Sequence, residues 1–282
     1  MDTDQQLTVA IQGVAGSFHD EAAAQYFEQP VNPVPCETFR DLFLVMKKKK
    51  AHFAVMAIEN TVAGTILPNY AMLRTSSLAI IGETYLAIRQ NLMALPGQKL
   101  EDIREVHSHP MAIQQCHAYF EKHPHMRLVE STDTAASAAW IAEHKKKGFG
   151  AIAAKRAASM YGLHILAPGI ETDKRNFTRF LVLTDKENLA NHNVPPDKAS
   201  VAFHVAHRRG SLATVLTILA GHGCNLTKIQ SLPVLGKEWE YFIHIDLEFD
   251  ARNQLDEALD TLNPHVLEFH VLGMYPRGKK NV

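Results

Sequence analysis

The run FAVMAIEN (53–60), passing straight into TVAGTILPNYAML (61–73), decides the architecture. A short unbroken apolar run bounded by turn residues reads as a strand buried on both faces, and the stretch behind it as a helix entered through a tight turn. The same junction recurs along the chain. LTVAIQ (7–12) runs through GVAGSF into HDEAAAQYF, REVHS (104–108) into HPMAIQQCHAYF, and RLVES (127–131) into TDTAASAAWIAEH. GFGAIA (148–153) precedes the helical KRAASMYG, and FTRFLVLT (177–184) reads as a final strand. Strands alternating with helices in this way signal an α/β fold.

Composition changes at KENLANHNVPPDK (186–198), where Asn and Pro replace apolar residues, so 188–198 is expected to be a linker between a domain at 1–187 and one at 199–282. Beyond it, SVAFHVA (200–206) is a strand and GSLATVLTILAGHG (210–223) a helix. NLTKIQSLPV (225–234) and EWEYFIHIDLEF (238–249) are strands around a turn at Leu235, RNQLDEALDTL (252–262) is a helix and HVLEFHVLGMY (265–275) a last strand. The order βαββαβ is ferredoxin-like.

A chain of 282 residues, 46% hydrophobic and 21% charged, is globular and long enough for about two domains. With 29 basic against 30 acidic residues the formal charge is −1, so no overall field favours nucleic acid or an anionic membrane. Cys36, Cys116 and Cys224 are odd in number and lack CxxC spacing, which suits a reducing compartment. Asp2 and Asp4 stand where a signal peptide would be basic, and no stretch approaches the roughly 20 apolar residues of a membrane helix. A cytoplasmic location is the expectation. The 16 histidines include no HExxH and no cysteine partner at zinc spacing, so no metal site is expected. No Walker A motif occurs and GVAGSF is not GxGxxG, so no nucleotide cofactor is expected either. The runs Lys47–Lys50 and Lys145–Lys147 fall at helix ends, where cations complement the helix dipole.

Candidate chemistry lies in the junctions. Helix starts at strand ends expose N–H groups that can hold an anion without net positive charge. Gly13 and Gly16 allow close backbone approach, while Ser17 and Asp20 read as a capping box, which leaves an ordinary capped helix as the alternative. Glu59 and Asn60 end an apolar strand, and Thr61 follows in the turn; they read as ligand-binding groups or as a structural hydrogen-bond network. Ser108 or His109 can face a cleft, and Thr132, Asp133 and Thr134 are capping residues. In Asn176-Phe177-Thr178-Arg179-Phe180, Arg179 can bind a carboxylate through both its donors and Thr178 can donate a proton where charge stabilises its alkoxide.

Six segments in order, GVAGSF (13–18), ENTVAGTI (59–66), SHPMAIQQC (108–116), STDTAASA (131–138), AAKRAASMYGL (153–163) and NFTRFLVL (176–183), resemble those of monofunctional prephenate dehydratases with a C-terminal ACT regulatory domain. The resemblance implies conversion of prephenate to phenylpyruvate with loss of CO2 and water, in phenylalanine biosynthesis. It also implies a two-lobed catalytic domain similar to type 2 periplasmic binding proteins, a site in the interlobe cleft, and no cofactor. Carried onto this sequence, it implies Thr178, Glu59 and Asn60 as catalytic residues and Arg179, Ser17, Thr61, Ser108, Gln115 and Phe180 as substrate-binding ones. In the ACT region the family typically binds phenylalanine between chains. Gly210, Ser211 and Leu212 match its glycine-led helix start, and Gln230, Ser231, Leu232 and Pro233 occupy its Glu-Ser-Arg-Pro motif without the Glu and Arg. A homodimer or homotetramer is implied. Two rivals remain open: an arogenate dehydratase, with an ammonium in place of the keto group, and a non-catalytic sensor of aromatic metabolites.

Overall fold

The computed structural model describes residues 7–192, 194–234 and 236–279, so Asp2, Asp4 and the turn residue Leu235 lie outside the described residues. In chain order the elements are β1 (Thr8–Gln12), α1 (Phe18–Phe27), β2 (Asn32–Cys36), α2 (Phe39–Lys47), β3 (Phe53–Asn60), the short β4 (Gly64–Thr65), α3 (Leu67–Arg74), β5 (Leu78–Ala87) and β6 (Asn91–Ala94). There follow β7 (Glu105–Ser108), α4 (Pro110–Gln115), α5 (His117–Phe120), β8 (Arg127–Glu130), α6 (Thr134–Glu143), β9 (Phe149–Ala153), α7 (Lys155–Tyr161), β10 (His164–Ala167) and β11 (Phe177–Asp185). The last are β12 (Lys198–His204), α8 (Ser211–Gly221), β13 (Asn225–Pro233), β14 (Tyr241–Glu248), α9 (Arg252–Leu262) and β15 (Glu268–Tyr275). No helix among the described residues is long and apolar enough to cross a membrane.

The chain forms two compact units. One takes the residues up to Thr65 together with Thr84–Phe180, the other Ile66–Glu83 together with the residues from Leu181 on. The 1–187 and 199–282 division drawn from composition thus differs from the packing, because residues 66–83 join the later part of the chain. Within that unit β15 pairs with β5 at Gly273 and Ile80, and Arg74 lies 3.7 Å over the Phe242 ring. The expected linker is also more ordered than its composition suggests: Lys186–Asn191 coil into a 3-10 turn, and Lys198 already belongs to β12.

The first unit has two lobes. In the first lobe β1 pairs in parallel with β2 and β3, and β11 lies beyond β3. Pro33 and Pro35 are tolerated in β2 because that strand is an edge and pairs with β1 alone. The second lobe is a five-stranded sheet ordered β10-β6-β9-β7-β8. Its faces explain the unbroken apolar runs: Leu92 and Ala94 of β6 enter one core with Ile103, Val106 and Phe120, while Met93 between them enters another with Ala135, Ile141 and Ala157. The alanines of α6 let that helix sit close on β9. The expected single helix from Pro110 breaks at Cys116 (φ −106°, ψ 11°), giving α4 and α5.

In the second unit β12, α8, β13, β14, α9 and β15 give the expected βαββαβ order, with sheet order β13-β14-β12-β15. Helices α8 and α9 close over an apolar face that includes Val201, Phe203, Val215, Leu219, Ile245 and Leu255. Other residues of these strands bury polar groups: Lys198 Nζ meets both Glu83 oxygens at 2.9 and 3.1 Å, and Ser200 Oγ reaches Asp246 and Tyr275, each at 2.6 Å. The last strand begins at Glu268 instead of 265, since Asn263–His265, containing Pro264, form a 3-10 turn.

Candidate active site

The strand β3 ends at Asn60, 8% exposed, and its amide ties three segments together. Asn60 Oδ1 accepts the N–H groups of Val62 (2.9 Å) and Ala63 (2.7 Å), which folds the chain sharply back into β4. This fixes the other end of the amide as donor. Nδ2 gives hydrogen bonds to Asn176 Oδ1 at 2.7 Å, Thr178 Oγ1 at 2.9 Å and the Phe177 carbonyl at 3.2 Å. Thr61 reinforces the joint, its hydroxyl donating to the Arg175 carbonyl and accepting from Phe177 N–H, both at 2.9 Å. Thr178 is 7% exposed, and among the described residues its hydroxyl accepts from Asn60 and gives its own proton to nothing. A hydroxyl that accepts one bond keeps a proton to donate.

Beside this joint opens a cleft of about 690 Å³, lined by Val62 and Ala63, by Met111, Gln114 and Gln115 of α4, and by Glu171, Thr172, Asp173 and Asn176. Gln115 Oε1 accepts from Gln90 Nε2 at 3.2 Å. The buried Glu171 carboxylate accepts from Gln90 N–H (2.9 Å) and Arg89 (3.1 Å), with Lys174 at 3.4 Å.

The first junction closes on the second lobe. Gly13 (φ 92°) and Gly16 (φ 83°) adopt the left-handed backbone that favours glycine. A β-carbon on Gly13 would stand 2.6 Å from Asp133 Oδ2, and one on Gly16 3.1 Å from the Ala157 backbone. Ser17 caps α1, accepting from Asp20 N–H at 3.4 Å, but the reciprocal half of the expected capping box is absent. The Asp20 carboxylate instead accepts from Gly16 N–H at 2.8 Å and is forked by Arg156 at 2.7 and 3.2 Å. Burial pushes the Asp133 carboxyl up from its usual range against the opposing N–H groups of Ala136 and Ala135 and the charge of His109.

Several expected contacts fall elsewhere. Ser108 is fully buried and its hydroxyl donates to the Ile152 carbonyl at 2.7 Å, joining β7 to β9 instead of facing the cleft. His109 caps α4, its Nδ1 accepting from Met111 N–H. Phe180 is 1% exposed and packs edge-on against His19 at 5.0 Å, behind the site. Arg179 follows Thr178 on an extended strand and so leaves from its opposite face. Glu59, half-buried, likewise departs from the face opposite Asn60, where its backbone pairs with Thr65. Asn176, Gln90 and Glu171 were not singled out for these roles; their sequence signal is confined to polar residues beside buried strand ends.

The second unit holds a separate hollow of about 250 Å³ at the start of α8. Ser211, Leu212 and Ser231 line it, together with Arg208, Trp239 and Glu240. Gly210 precedes it as the left-handed cap of α8 (φ 84°). Gln230, Leu232 and Pro233 do not line it: Gln230 and Leu232 alternate to the other face of β13, and Pro233 ends the strand. Among the described residues no group of three or more His, Cys, Asp or Glu is placed to hold a metal ion.

Comparison with known proteins gives these features a family. A family model described as prephenate dehydratase matches residues 9–188, and one described as the ACT domain matches residues 199–263. Arogenate dehydratase 2 of Petunia hybrida is 36% identical over 288 residues, covering 96% of this chain and 72% of that protein. The crystal structure of prephenate dehydratase from Arthrobacter aurescens in complex with L-Phe superposes with a TM-score of 0.83 at 29% identity, over 96% of this chain and 90% of that one. A protein described as GqqA, a novel type of quorum quenching acylase, has a TM-score of 0.85 at 29% identity, over 96% and 98% of the two chains. The chain belongs to the prephenate dehydratase family and carries an ACT domain.

Proposed function

We propose that the chain converts prephenate to phenylpyruvate, CO2 and water. The observation that carries this is the Asn60 amide donating to a Thr178 hydroxyl whose own proton stays available. Thr178 passes that proton to the ring hydroxyl as its C–O bond breaks, and the alkoxide left behind takes a proton back from solvent, the one proton the reaction consumes. The electron pair of the departing carboxylate moves into the ring, which becomes aromatic, so the driving force lies in the substrate. Asn60 Nδ2 then faces the oxygen that has lost its proton, where a donor held in place is worth most. Bound by Val62, Ala63 and Asn176, the amide needs no reorganisation to do so. Gln115 presents its free end to the substrate, with Arg89 and Lys174 supplying positive charge beside Glu171. Thr61 holds the turn, Ser17 and Ser108 hold their helix and strands, and Glu59, Arg179 and Phe180 support the strand ends.

The catalytic and regulatory roles divide at 188–198, and phenylalanine is the effector, taken in the hollow at the start of α8. Support comes from the family relationship and from the L-Phe complex of the related dehydratase. Arg208 and Glu240 line this hollow and can face an amino acid's carboxylate and ammonium, in place of the absent Glu and Arg of the family motif. The enzyme works in the cytoplasm as a homodimer or homotetramer, since β13 is a sheet edge with one neighbour.

The test is to mix purified protein with prephenate at neutral pH, with and without phenylalanine, and follow phenylpyruvate. Turnover slowed by phenylalanine supports both roles; turnover unaffected by it removes the regulatory one. No turnover on prephenate or arogenate, with cleavage of an acylated amine instead, would replace the dehydratase with the acylase chemistry ascribed to its structural neighbour.

A further inference from the structure

We infer that Gln90 lets the cleft take both the keto and the amino form of the substrate by allowing either end of the Gln115 amide to face the ligand; this rests on the dehydratase function proposed above. Gln90 is 2% exposed, and its backbone N–H is anchored on the buried Glu171 carboxylate at 2.9 Å. Its side chain donates from Nε2 to Gln115 Oε1 at 3.2 Å, which leaves the NH2 of Gln115 as the end offered to the cleft. The far end of Gln90, Oε1, is buried with no hydrogen-bond partner among the described residues.

That last atom is informative. An amide has a donor end and an acceptor end of nearly the same shape, so the pair has a second arrangement in which both amides turn over. Gln115 Nε2 then donates to Gln90 Oε1, and the Gln115 carbonyl oxygen faces the cleft. The pair keeps one internal bond in either state. Because the buried far end of Gln90 meets no partner that demands an acceptor or a donor, the protein does not lock one state, and a ligand can choose between them by its differential contacts.

The two candidate substrates differ at one group. Prephenate carries a keto oxygen, which accepts hydrogen bonds; arogenate carries an ammonium, which donates them. In both, the ring hydroxyl and the side chain sit at opposite ends of the ring. Asn176, which shares the Asn60 amide with Thr178, and Gln115 of α4 both line the cleft, so a ligand whose hydroxyl meets Thr178 can extend its side chain to Gln115. The arrangement described suits the keto acid, and the turned one suits the amino acid. Gln90 is therefore a positioning residue for Gln115, and the unaltered enzyme accepts both substrates.

Steady-state kcat and KM on prephenate and arogenate, for the unaltered enzyme, Gln90→Glu and Gln90→Met, test this. A carboxylate at 90 accepts and never donates, so it holds Gln115 in the turned state. Gln90→Glu is expected to lower the prephenate-to-arogenate ratio of kcat/KM by tenfold or more, through KM and with kcat nearly unchanged. Gln90→Met, close in volume and without a polar end, frees Gln115 and is expected to raise both KM values while moving the ratio less than threefold. Circular dichroism and thermal melts identify which variants are folded. A folded Gln90→Glu whose ratio stays within twofold of the unaltered enzyme overturns the assignment and leaves the dehydratase function standing. If Gln90→Glu does not fold, a Gln90→Met that shifts the ratio tenfold overturns it, and parallel KM increases support it. Absence of turnover on either substrate by the unaltered enzyme overturns the function and this inference together.

Discussion

The cleft of the first unit and the hollow of the second are both large enough to admit a small molecule, yet they are built on opposite terms. At the cleft the polar groups are buried and fixed by side-chain bonds between residues 116 and 118 positions apart, Asn60 to Asn176 and to Thr178. At the hollow the contributing side chains stand largely in solvent: Trp239 is 72% exposed, and Ser231 lies on the exposed side of an edge strand. Chemistry demands groups held in place before the substrate arrives, because reorganisation adds to the barrier. A regulatory ligand can order its own site, and that ordering is itself a means of signalling.

The largest test of this contrast is Thr178→Ala. Loss of a proton donor is expected to lower kcat by roughly 10²–10⁴ with KM little changed, and Thr178→Ser to keep more activity because the hydroxyl remains. A Thr178→Ala enzyme within threefold of the original would place the donor elsewhere. Asn60→Asp comes next: it swaps the donor for an acceptor facing Thr178 Oγ1, and kcat is expected to fall by about 10²–10³, as for loss of a preorganised donor. At the hollow, Arg208→Ala is expected to weaken phenylalanine binding by about tenfold in calorimetry, the 1–2 kcal/mol of one partly solvated charge contact, with kcat unchanged. An unaltered affinity would move the carboxylate to another partner.

The smallest effect is on stability. Burial lowers the His19 pKa to about 3, and its Nε2 accepts from Ala57 N–H at 3.4 Å, so the ring is neutral in the folded state. The unfolded chain binds the proton more readily, so this contribution is intact above about 6.5 and is lost as the pH falls toward 3. His19→Gln retains an acceptor and is expected to flatten the melting temperature between pH 6.5 and 4. A curve parallel to that of the unaltered protein would show that His19 is not what responds to acid.

The strand-turn-helix junctions and the βαββαβ order were legible because each rests on local periodicity and turn chemistry. Strands β2, β5, β6 and β10 drew no reading. Two prolines disguise β2, and its edge position that excuses them is a property of the sheet. Of the motif residues Gln115 lines the cleft, while Asn60 and Thr178 join it through Asn176, but sequence order could not show that Ser108 turns inward to Ile152 or that Arg179 leaves by the other face of β11. Residues 66–83 escaped assignment to the second unit for the same reason: Arg74 reaches Phe242 across more than half the chain. Gln90 gave no signal at all, since an unpartnered amide end exists only in three dimensions.

The second lobe begins and ends on neighbouring strands, for β6 and β10 pair antiparallel with Leu92 beside Ala167 and Ala94 beside His164. It is thus an insert whose two ends meet, a parenthesis in the polypeptide that opens and closes at one place. Such a module can be exchanged for another of different lining while the order of the flanking strands is preserved. Thr178 and the Asn60 amide, both carried by the first lobe, would pass through that exchange untouched, so the fold separates the inheritance of this hydrogen-bonded pair from the inheritance of the cleft wall that Gln115 lines.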